Sequence, residues 1–277
     1  MGILYIVATP IGNLEDITLR ALRILREVGL IAAEDTRRTR QLLTHFDIHT
    51  PVTSYFEHNK LAKLSAIRSA LEAGDVALVS DAGTPTINDP GFELVRQMVA
   101  EGIKVCPIPG ASSPIAGLSA SGLATDAFTY LGYAPRKNKE RKELLLAFLE
   151  HRATLVFLES PNRVRDLLEV VANVMGDRQV VIGREITKKF EEFLHGTARQ
   201  LLEKLPPEPL GEMVVMISGA VAQEKQAATL EEAMEYVQAL LAEGKRVKEA
   251  TNEVSLKTGI DKKTLYQEAI RRKDEEG

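Results

Sequence analysis

The feature that most constrains the fold of this chain is a short apolar run that ends in a loop rich in glycine, proline and carboxylates. The run is Val76-Ala77-Leu78-Val79, and the loop is Ser80-Asp81-Ala82-Gly83-Thr84-Pro85-Thr86-Ile87-Asn88-Asp89-Pro90-Gly91. In open α/β sheets, ligands bind outside the carboxyl ends of the strands, and Gly and Pro shape the loops found there. The pattern therefore predicts a buried strand followed by a ligand-binding loop.

Two more loops of this kind occur in the first half of the chain. Gly12-Asn13 follows the first apolar run, and Pro109-Gly110-Ala111-Ser112-Ser113 follows a later one. Because the carboxyl ends of parallel strands meet at one edge of a sheet, these loops are expected to lie together.

Strand-like apolar runs alternate with helical periodicity along most of the chain, which predicts parallel βα units and an α/β fold. Strands are predicted at residues 3–8, 30–33, 52–56, 76–79, 105–108, 154–158, 180–184, 192–195 and 213–217. Helices are predicted at residues 17–28, 37–46, 60–73, 91–101, 113–123, 139–149 and 162–174, with Asp16 as a candidate cap of the first.

Composition and loop placement predict three parts. These are an N-terminal α/β domain at residues 1–111, a second α/β domain at 112–222, and a linker with a helical tail at 223–277. The tail is predicted to contain three amphipathic helices at 230–242, 247–257 and 262–272.

The tail and one interdomain segment are basic although the whole chain has a net charge of -4. Between Gly244 and Lys273 there are nine Lys/Arg and four Asp/Glu, and Thr258-Gly259-Ile260-Asp261 fits the turn of a helix-turn-helix. A second basic run is Arg136-Lys137-Asn138-Lys139-Glu140-Arg141-Lys142. Together they favour an RNA-contacting role for the tail, with a solvated charged bundle as the alternative.

Other compositional features favour a soluble cytoplasmic protein. The single cysteine, Cys106, lies in an apolar run and excludes an intramolecular disulfide. The N-terminus lacks a basic segment of the signal-peptide type, and no apolar stretch approaches the ~20 residues of a membrane span.

Several common site motifs are absent. The chain has no Gly-x-x-x-x-Gly-Lys-Ser/Thr phosphate loop, no Gly-x-Gly-x-x-Gly after the first strand, no Gly-x-Ser-x-Gly, and no metal-ligand spacing among its five His and one Cys. What remains is a site of loops, carboxylates and small residues, suited to a bulky ligand with a cationic group. Asp81 is a candidate to hold that group, with backbone donors at Ala82, Gly83 and Thr84.

The loop sequences resemble a known family. The segments are Ala8-Thr9-Pro10-Ile11-Gly12-Asn13-Leu14-Glu15-Asp16, Ala33-Glu34-Asp35-Thr36-Arg37, Ser54-Tyr55-Phe56-Glu57-His58-Asn59, the 80–91 loop, Pro109-Gly110-Ala111-Ser112-Ser113, Glu159-Ser160-Pro161, Arg184-Glu185-Ile186-Thr187-Lys188 and Gly211-Glu212-Met213. Together they are similar to the ribosomal RNA small-subunit methyltransferase I family over nearly the whole chain. The sequence departs from the usual pattern of that family at Phe56, Ala134 and Asn162.

The resemblance implies a tetrapyrrole-methylase-type fold: two α/β domains with S-adenosylmethionine (SAM) in the cleft between them, and a homodimer. It implies methylation of the ribose 2'-hydroxyl of a cytidine in the decoding region of 16S rRNA, within the 30S subunit. The SAM-pocket residues it implies, together with the backbone donors named above, are Pro10, Asp81, Ala82, Gly83, Thr84, Ser112, Ser113, Tyr133, Glu159 and Met213. No metal is implied.

This reaction requires alignment of an activated methyl group with the ribose oxygen and removal of one proton. A carboxylate, His or neutral Lys can accept the proton, and a Lys or Arg can stabilise the developing alkoxide. The candidates are Asp35, Arg37, His58, Arg184, Glu185 and Lys188. Structural interpretations also remain open: a helix-start pair for Asp35 and Arg37, a capping or solvated His58, and a surface Lys188.

Two alternative functions remain at this stage. One is a tetrapyrrole-type small-molecule C-methyltransferase, which the basic segments disfavour because a porphyrinoid does not require them. The other is a catalytically silent ribosome-binding protein.

Overall fold

The computed structural model describes residues 1–56, 60–206, 209–221 and 229–275 of this mixed α/β protein. The chain forms two compact units, Met1–Ala220 and Val221–Gly277. The first unit contains two five-stranded sheets, and the second is helical over its described residues.

The first sheet is entirely parallel, in the order β3-β2-β4-β1-β5. Its strands are β1 (Leu4–Val7), β2 (Leu30–Ala33), β3 (Val52–Ser54), β4 (Val76–Val79) and β5 (Val105–Ile108). The connecting helices are α1 (Leu19–Glu27), α2 (Thr36–His45), α3 (Lys60–Ala73) and α4 (Phe92–Ala100).

Both faces of this sheet are covered, which explains why β4 is a continuous apolar run rather than an alternating one. Ala77 and Val79 belong to the core that also contains Leu25 of α1, whereas Val76 and Leu78 belong to the core on the opposite face. With both faces buried, only the strand ends are left to present polar groups.

The second sheet is mixed, in the order β6-β7-β10-β8-β9. Its strands are β6 (Phe128–Tyr133), β7 (Thr154–Glu159), β8 (Gln179–Arg184), β9 (Glu192–Thr197) and β10 (Met213–Ile217). Its helices are α5 (Ser113–Ala120), α6 (Asn138–Ala147), α7 (Pro161–Val174) and α8 (Ala198–Lys204). Only β6 and β7 pair in parallel; β10 is antiparallel to β7 and β8, and β9 is antiparallel to β8.

The register of β10 places three predicted site positions at one edge of this sheet. Met213 pairs with Glu159 at the end of β7 and with Arg184 at the end of β8. The carboxyl ends of β7 and β8 therefore lie beside the amino end of β10.

The second unit contains α9 (Leu230–Ala242), α10 (Val247–Thr258) and α11 (Lys262–Glu275) around a small core of its own. Thr229 starts α9 with a capping box, in which its side chain accepts from Glu232 N and the Glu232 side chain accepts from Thr229 N. Gly259 ends α10 in the left-handed conformation (φ 78°), as the predicted turn requires.

The predicted strands and helices are present, and β2, β4, β5, β10, α3 and α9 have the predicted bounds. Two elements were not predicted, β6 and α8. The proposed cap was wrong: α1 begins after Thr18, whose hydroxyl accepts from Ala21 N at 3.0 Å, while Asp16 lies in a preceding 3-10 turn. The boundary predicted between residues 111 and 112 stays a prediction.

Among the residues that the structure describes, no helix is both long and apolar enough to cross a membrane. One part of the basic segment at 136–142 is corrected: Arg141 is buried, donating from Nε to Pro135 O at 3.2 Å and from Nη1 to Asn138 Oδ1 at 2.8 Å. The Arg141 guanidinium therefore binds the segment before α6 and is not exposed to solvent.

Candidate active site

A cleft in the first unit is lined by residues from both sheets. The first half contributes side chains from the loops after β1, β2, β4 and β5, and the second half from β6 and the edge where β7, β8 and β10 meet. The lining residues are Ile11, Glu34, Arg38, Asp81, Ala82, Gly83, Thr84, Ile87, Asn88, Asp89, Ser112, Ser113, Pro114, Tyr130, Tyr133, Leu158, Glu159, Glu185, Ile186, Lys188, Glu212, Met213 and Val214.

The loop after β4 is tied to both neighbouring loops. Thr9 and Gly83 exchange backbone hydrogen bonds of 2.9 and 3.0 Å, and the Thr84 hydroxyl donates to Ala111 O at 3.2 Å. Gly83 has φ +81°, a conformation that a side chain would strain. The three loops predicted to lie together therefore form one connected surface.

Asp81 links this loop to the start of α2. Its Oδ1 accepts from Asp35 N at 3.0 Å, its Oδ2 lies 3.5 Å from Arg38 Nη1, and its own N–H donates to Glu34 Oε2 at 3.3 Å. Asp81 is thus both a structural acceptor and a charge on the cleft wall.

Burial and neighbouring carboxylates raise the pKa of two acidic residues in the cleft. Burial raises the pKa of Glu34. Burial, reinforced by the negative charge of Glu34, also raises the pKa of Asp89 to about 6, and Asp81 and Glu212 act in the same direction. Such a cluster of carboxylates favours a ligand that carries positive charge.

A β-bulge in β6 brings two tyrosines into the same cleft. The register shifts between Tyr130 and Gly132, and Gly132 has φ +63°. Residues three apart normally face opposite sides of a strand, but one extra residue returns Tyr133 to the side of Tyr130. The buried Tyr130 hydroxyl has no hydrogen-bond partner among the described residues, and burial raises its pKa to about 12.

The loop between β8 and β9 is held in a strained conformation against the first half. Glu185 and Thr187 have φ of 51° and 69°, unusual for residues with side chains and more so for a β-branched one. Thr187 donates its hydroxyl to Asp16. The bonds that hold this loop offset the strain and fix its side chains toward the cleft.

Lys188 and Glu185 form an ion pair at the cleft, with Nζ 2.9 Å from Oε1. Two glycines make room for it. A Cβ at Gly12 would lie 2.6 Å from Lys188 Cγ, and a Cβ at Gly211 would lie 2.2 Å from Glu185 Oε1. A side chain at either position would therefore force Lys188 or Glu185 to move from its present place.

The structure brings most of the predicted cofactor residues together, since all of them line the cleft except Pro10. Pro10 lies in an adjoining hollow that shares Arg38 and Asp81 with the cleft. Of the candidates for proton transfer, Glu185 and Lys188 line the cleft. Asp35, Arg37 and Arg184 do not, and His58 lies outside the described residues.

Asp35 and Arg37 have the geometry of a helix-start pair. Asp35 Oδ1 caps α2 by accepting from Arg37 N at 2.8 Å, and Arg37 Nη2 lies 2.9 Å from Asp35 Oδ2. Hydrogen bonds from the Arg37 side chain and backbone lower the pKa of Asp35 to about 2. Arg184 similarly pairs with Glu192 at 2.9 Å.

The cleft also contains polar residues that sequence reasoning did not assign to it, namely Glu34, Arg38, Asn88, Asp89, Tyr130 and Glu212. Glu34, Asn88, Asp89 and Glu212 all lay inside segments used for the family resemblance. Arg38 gave no usable signal, because it lies about 100° around the helix from Arg37 and nothing in the sequence shows which of the two faces the cleft.

The polar groups that line the cleft are suited to binding SAM. Carboxylates from two sheets surround a space that also contains an unpartnered tyrosine hydroxyl and loop backbone groups, which suits a ligand with a sulfonium, an amine and polar edges. Over the described residues there is no group of three His, Cys, Asp or Glu arranged to hold a metal ion.

Comparison with known proteins gives a consistent result. The family model of Tetrapyrrole (Corrin/Porphyrin) Methylases matches residues 3–202. The chain is 44% identical over 271 residues to ribosomal RNA small subunit methyltransferase I of Halalkalibacterium halodurans, covering 96% of this chain and 93% of that protein. It is also 44% identical to the protein of that name from Pseudomonas aeruginosa, covering 98% of both chains.

Solved structures share the fold at lower identity. Diphthine synthase matches 78% of this chain and 90% of its own, with TM-score 0.60 and 16% identity. The uroporphyrin-III C-methyltransferase of Thermus thermophilus, complexed with S-adenosyl homocysteine, matches 78% of this chain and 97% of its own, with TM-score 0.55 and 20% identity.

Proposed function

The chain belongs to the ribosomal RNA small subunit methyltransferase I family within the tetrapyrrole methylases, and from that premise we propose that it methylates the ribose 2'-hydroxyl of a cytidine in the decoding region of 16S rRNA. It is a methyltransferase that depends on SAM. The observation that carries the proposal is the cleft itself, where carboxylates at the ends of both sheets surround a space suited to a cationic ligand.

When bound, SAM supplies a methyl carbon already activated by its sulfonium, so the protein needs chiefly to position the reacting groups and handle one proton. We assign the holding of the cationic ligand to Asp81 and Asp89 on the loop after β4 and to Glu212 before β10. Tyr130 is placed to donate its free hydroxyl to a polar atom of the ligand.

For the ribose hydroxyl we assign the Lys188–Glu185 pair, because these are the candidates for proton transfer that line the cleft. The Lys188 ammonium stabilises the developing alkoxide, and the Glu185 carboxylate orients the lysine and accepts the proton. The positive backbone φ angles at Glu185 and Thr187 hold the pair at one place in the cleft.

The 16S rRNA partner is supported by the basic character of segments outside the cleft. Lys137 and Lys139 of the 136–142 segment are exposed, Lys248 and Lys262 lie on the helices of the second unit, and Arg246 immediately precedes α10. Contacts of such groups with phosphate supply affinity without sequence specificity. We further propose that the protein works as a homodimer in the cytoplasm, where 30S subunits assemble.

The test of this function is transfer of labelled methyl from SAM to 30S subunits that lack the native modification. Nuclease digestion then locates the label on base or ribose. We expect label on the ribose of one cytidine. Absence of label on 30S, with SAM still bound in calorimetry, would instead favour a small-molecule C-methyltransferase.

The raised pKa of Asp89 predicts a pH-dependent affinity for SAM. Below about pH 6 Asp89 is protonated in the free protein and has no charge to offer, so a bound cation must drive out its proton. We expect affinity to rise between about pH 5 and pH 7 by up to roughly tenfold per pH unit, the limit for one proton. Calorimetry across this range measures the slope.

Asp89→Asn should flatten the slope, because the amide is neutral at every pH. Asp126→Asn is the matched control, since Asp126 is exposed and outside the cleft, and it should keep the wild-type slope. An unchanged slope in Asp89→Asn would remove Asp89 from the binding of the cation.

A further inference from the structure

The exposed face of α2 carries positive charge without any acidic residue of its own. The helix reads Thr36-Arg37-Arg38-Thr39-Arg40-Gln41-Leu42-Leu43-Thr44-His45. Thr39 and Leu43, four residues apart, are buried, so the opposite side faces solvent. Arg37, Arg38 and Arg40 are all exposed.

This face is connected to the cleft by a series of hollows that share residues. The cleft and the hollow beside Pro10 share Arg38 and Asp81. That hollow shares Gln41 with a shallow groove on α2 lined by Arg37, Arg40, Gln41, Thr44 and His45. A continuous surface, which we call the α2 track, therefore leads from the cofactor cleft along the helix.

The charges along the α2 track are not equally neutralised. Arg37 pairs with Asp35 at 2.9 Å, and Arg38 lies 3.5 Å from Asp81. Arg40 forms no ion pair with any residue in the described part of the chain. Arg40, in the groove outside the cleft, is thus the arginine of α2 whose charge the described residues leave uncompensated, which is the arrangement expected where the partner, not the protein, supplies the anion.

The length of the track suits a short stretch of nucleic acid. From Arg37 to Thr44 the helix advances about 10 Å, at 1.5 Å per residue. That is comparable with the axial rise of about three stacked nucleotides at ~3.4 Å each. Arginine is well matched to phosphate, because its planar fork donates two parallel hydrogen bonds.

We propose that the α2 track binds the phosphates of the rRNA strand beside the target cytidine, with Arg40 as a principal phosphate contact. The inference rests on the proposed function and adds the path by which the strand reaches the cleft. Phosphate contacts fix the register of the strand, while the cleft receives the nucleotide to be modified.

The test compares full-length Arg40 variants for binding to unmethylated 30S subunits over a series of salt concentrations. Arg40→Gln should weaken binding by about tenfold and reduce the steepness of the log–log salt dependence by about 0.7 to 0.9, the value for one phosphate. Arg40→Lys should retain the salt dependence, because it keeps the charge. SAM affinity in calorimetry should be unchanged in both, which also reports correct folding.

Arg199→Gln is the matched control. Arg199 is an exposed arginine on α8, outside the cleft and the track, and its replacement should leave 30S binding as in the wild type. Arg40→Gln with the affinity and salt dependence of Arg199→Gln would overturn the proposal.

Label transfer measured on the same samples separates the two claims. If the wild type methylates 30S and Arg40→Gln binds 30S normally, the proposed role of the α2 track is wrong and the proposed function stands. If the wild type does not methylate 30S but Arg40→Gln loses binding as described, the track stands and the function is wrong.

Discussion

Asp81→Asn is expected to lower the affinity for SAM by about 30-fold or more while the protein stays folded. Truncation of one partner of a partly buried charge pair costs about 2–5 kcal/mol, and about 1.4 kcal/mol corresponds to tenfold in affinity. The amide keeps an oxygen that can accept from Asp35 N, so the start of α2 remains attached to the loop after β4. The loss therefore reports the charge rather than the structural bond.

Asp81→Ala separates the two roles of the residue. It removes the charge and also the acceptor for Asp35 N, so SAM affinity should fall as far as in Asp81→Asn. The melting temperature should fall by a few degrees more, because loss of an acceptor costs about 1–3 kcal/mol. Calorimetric titration and thermal unfolding measure both. Wild-type affinity in Asp81→Asn would exclude a role for this charge in the site.

Lys188→Met is expected to lower kcat by about 100- to 10,000-fold with little change in SAM affinity. Methionine keeps the packing of the unbranched chain over Gly12 but removes the charge that stabilises the alkoxide. Steady-state methyl transfer to 30S at saturating SAM and 30S measures kcat, and calorimetry measures the affinity for SAM. An interaction made only in the transition state should appear in kcat and not in binding.

Lys189→Met provides the control for Lys188→Met. Lys189 is the next residue, is exposed, and places its ammonium over the ring of Phe190 at 5.6 Å to the centroid. It should retain the wild-type kcat. If Lys188→Met keeps the wild-type kcat as well, the pair with Glu185 serves only to hold the loop between β8 and β9.

The strands of the parallel sheet could be predicted because a strand buried on both faces appears in the sequence as an uninterrupted apolar run. Val76 to Val79 are apolar without interruption, and the glycine and proline residues after them mark the end of the strand. β6 gives no such signal: Gly132 lies within it, Phe128 and Tyr133 are exposed, and the bulge breaks the two-residue period. α8 spans only seven residues, too few for periodicity to be recognised.

The site residues that lie in loops at strand ends could be predicted from the sequence. Those on a helix or a strand were harder to predict, because they reach the cleft only if they lie on the face turned toward it. Arg37 and Arg38 are adjacent and chemically identical, yet Arg38 lines the cleft and Arg37 does not. Sequence alone does not show which of the two arginines faces the cleft, because both are exposed and neither contributes to the apolar pattern. Tyr130 depends in the same way on the bulge at its strand.

The central position of β10 determines when the cleft can exist during synthesis. β10 is the last strand of the first unit in sequence but lies between β7 and β8 in the sheet. Until residue 217 has left the ribosome, the pair β6–β7 and the hairpin β8–β9 have no strand to join them, and their inner edges stay open. Parallel strands β1 to β5 need no residue beyond 108. A nascent chain can therefore complete its first sheet early, but it gains a cofactor cleft only when nearly all of the first unit has been made.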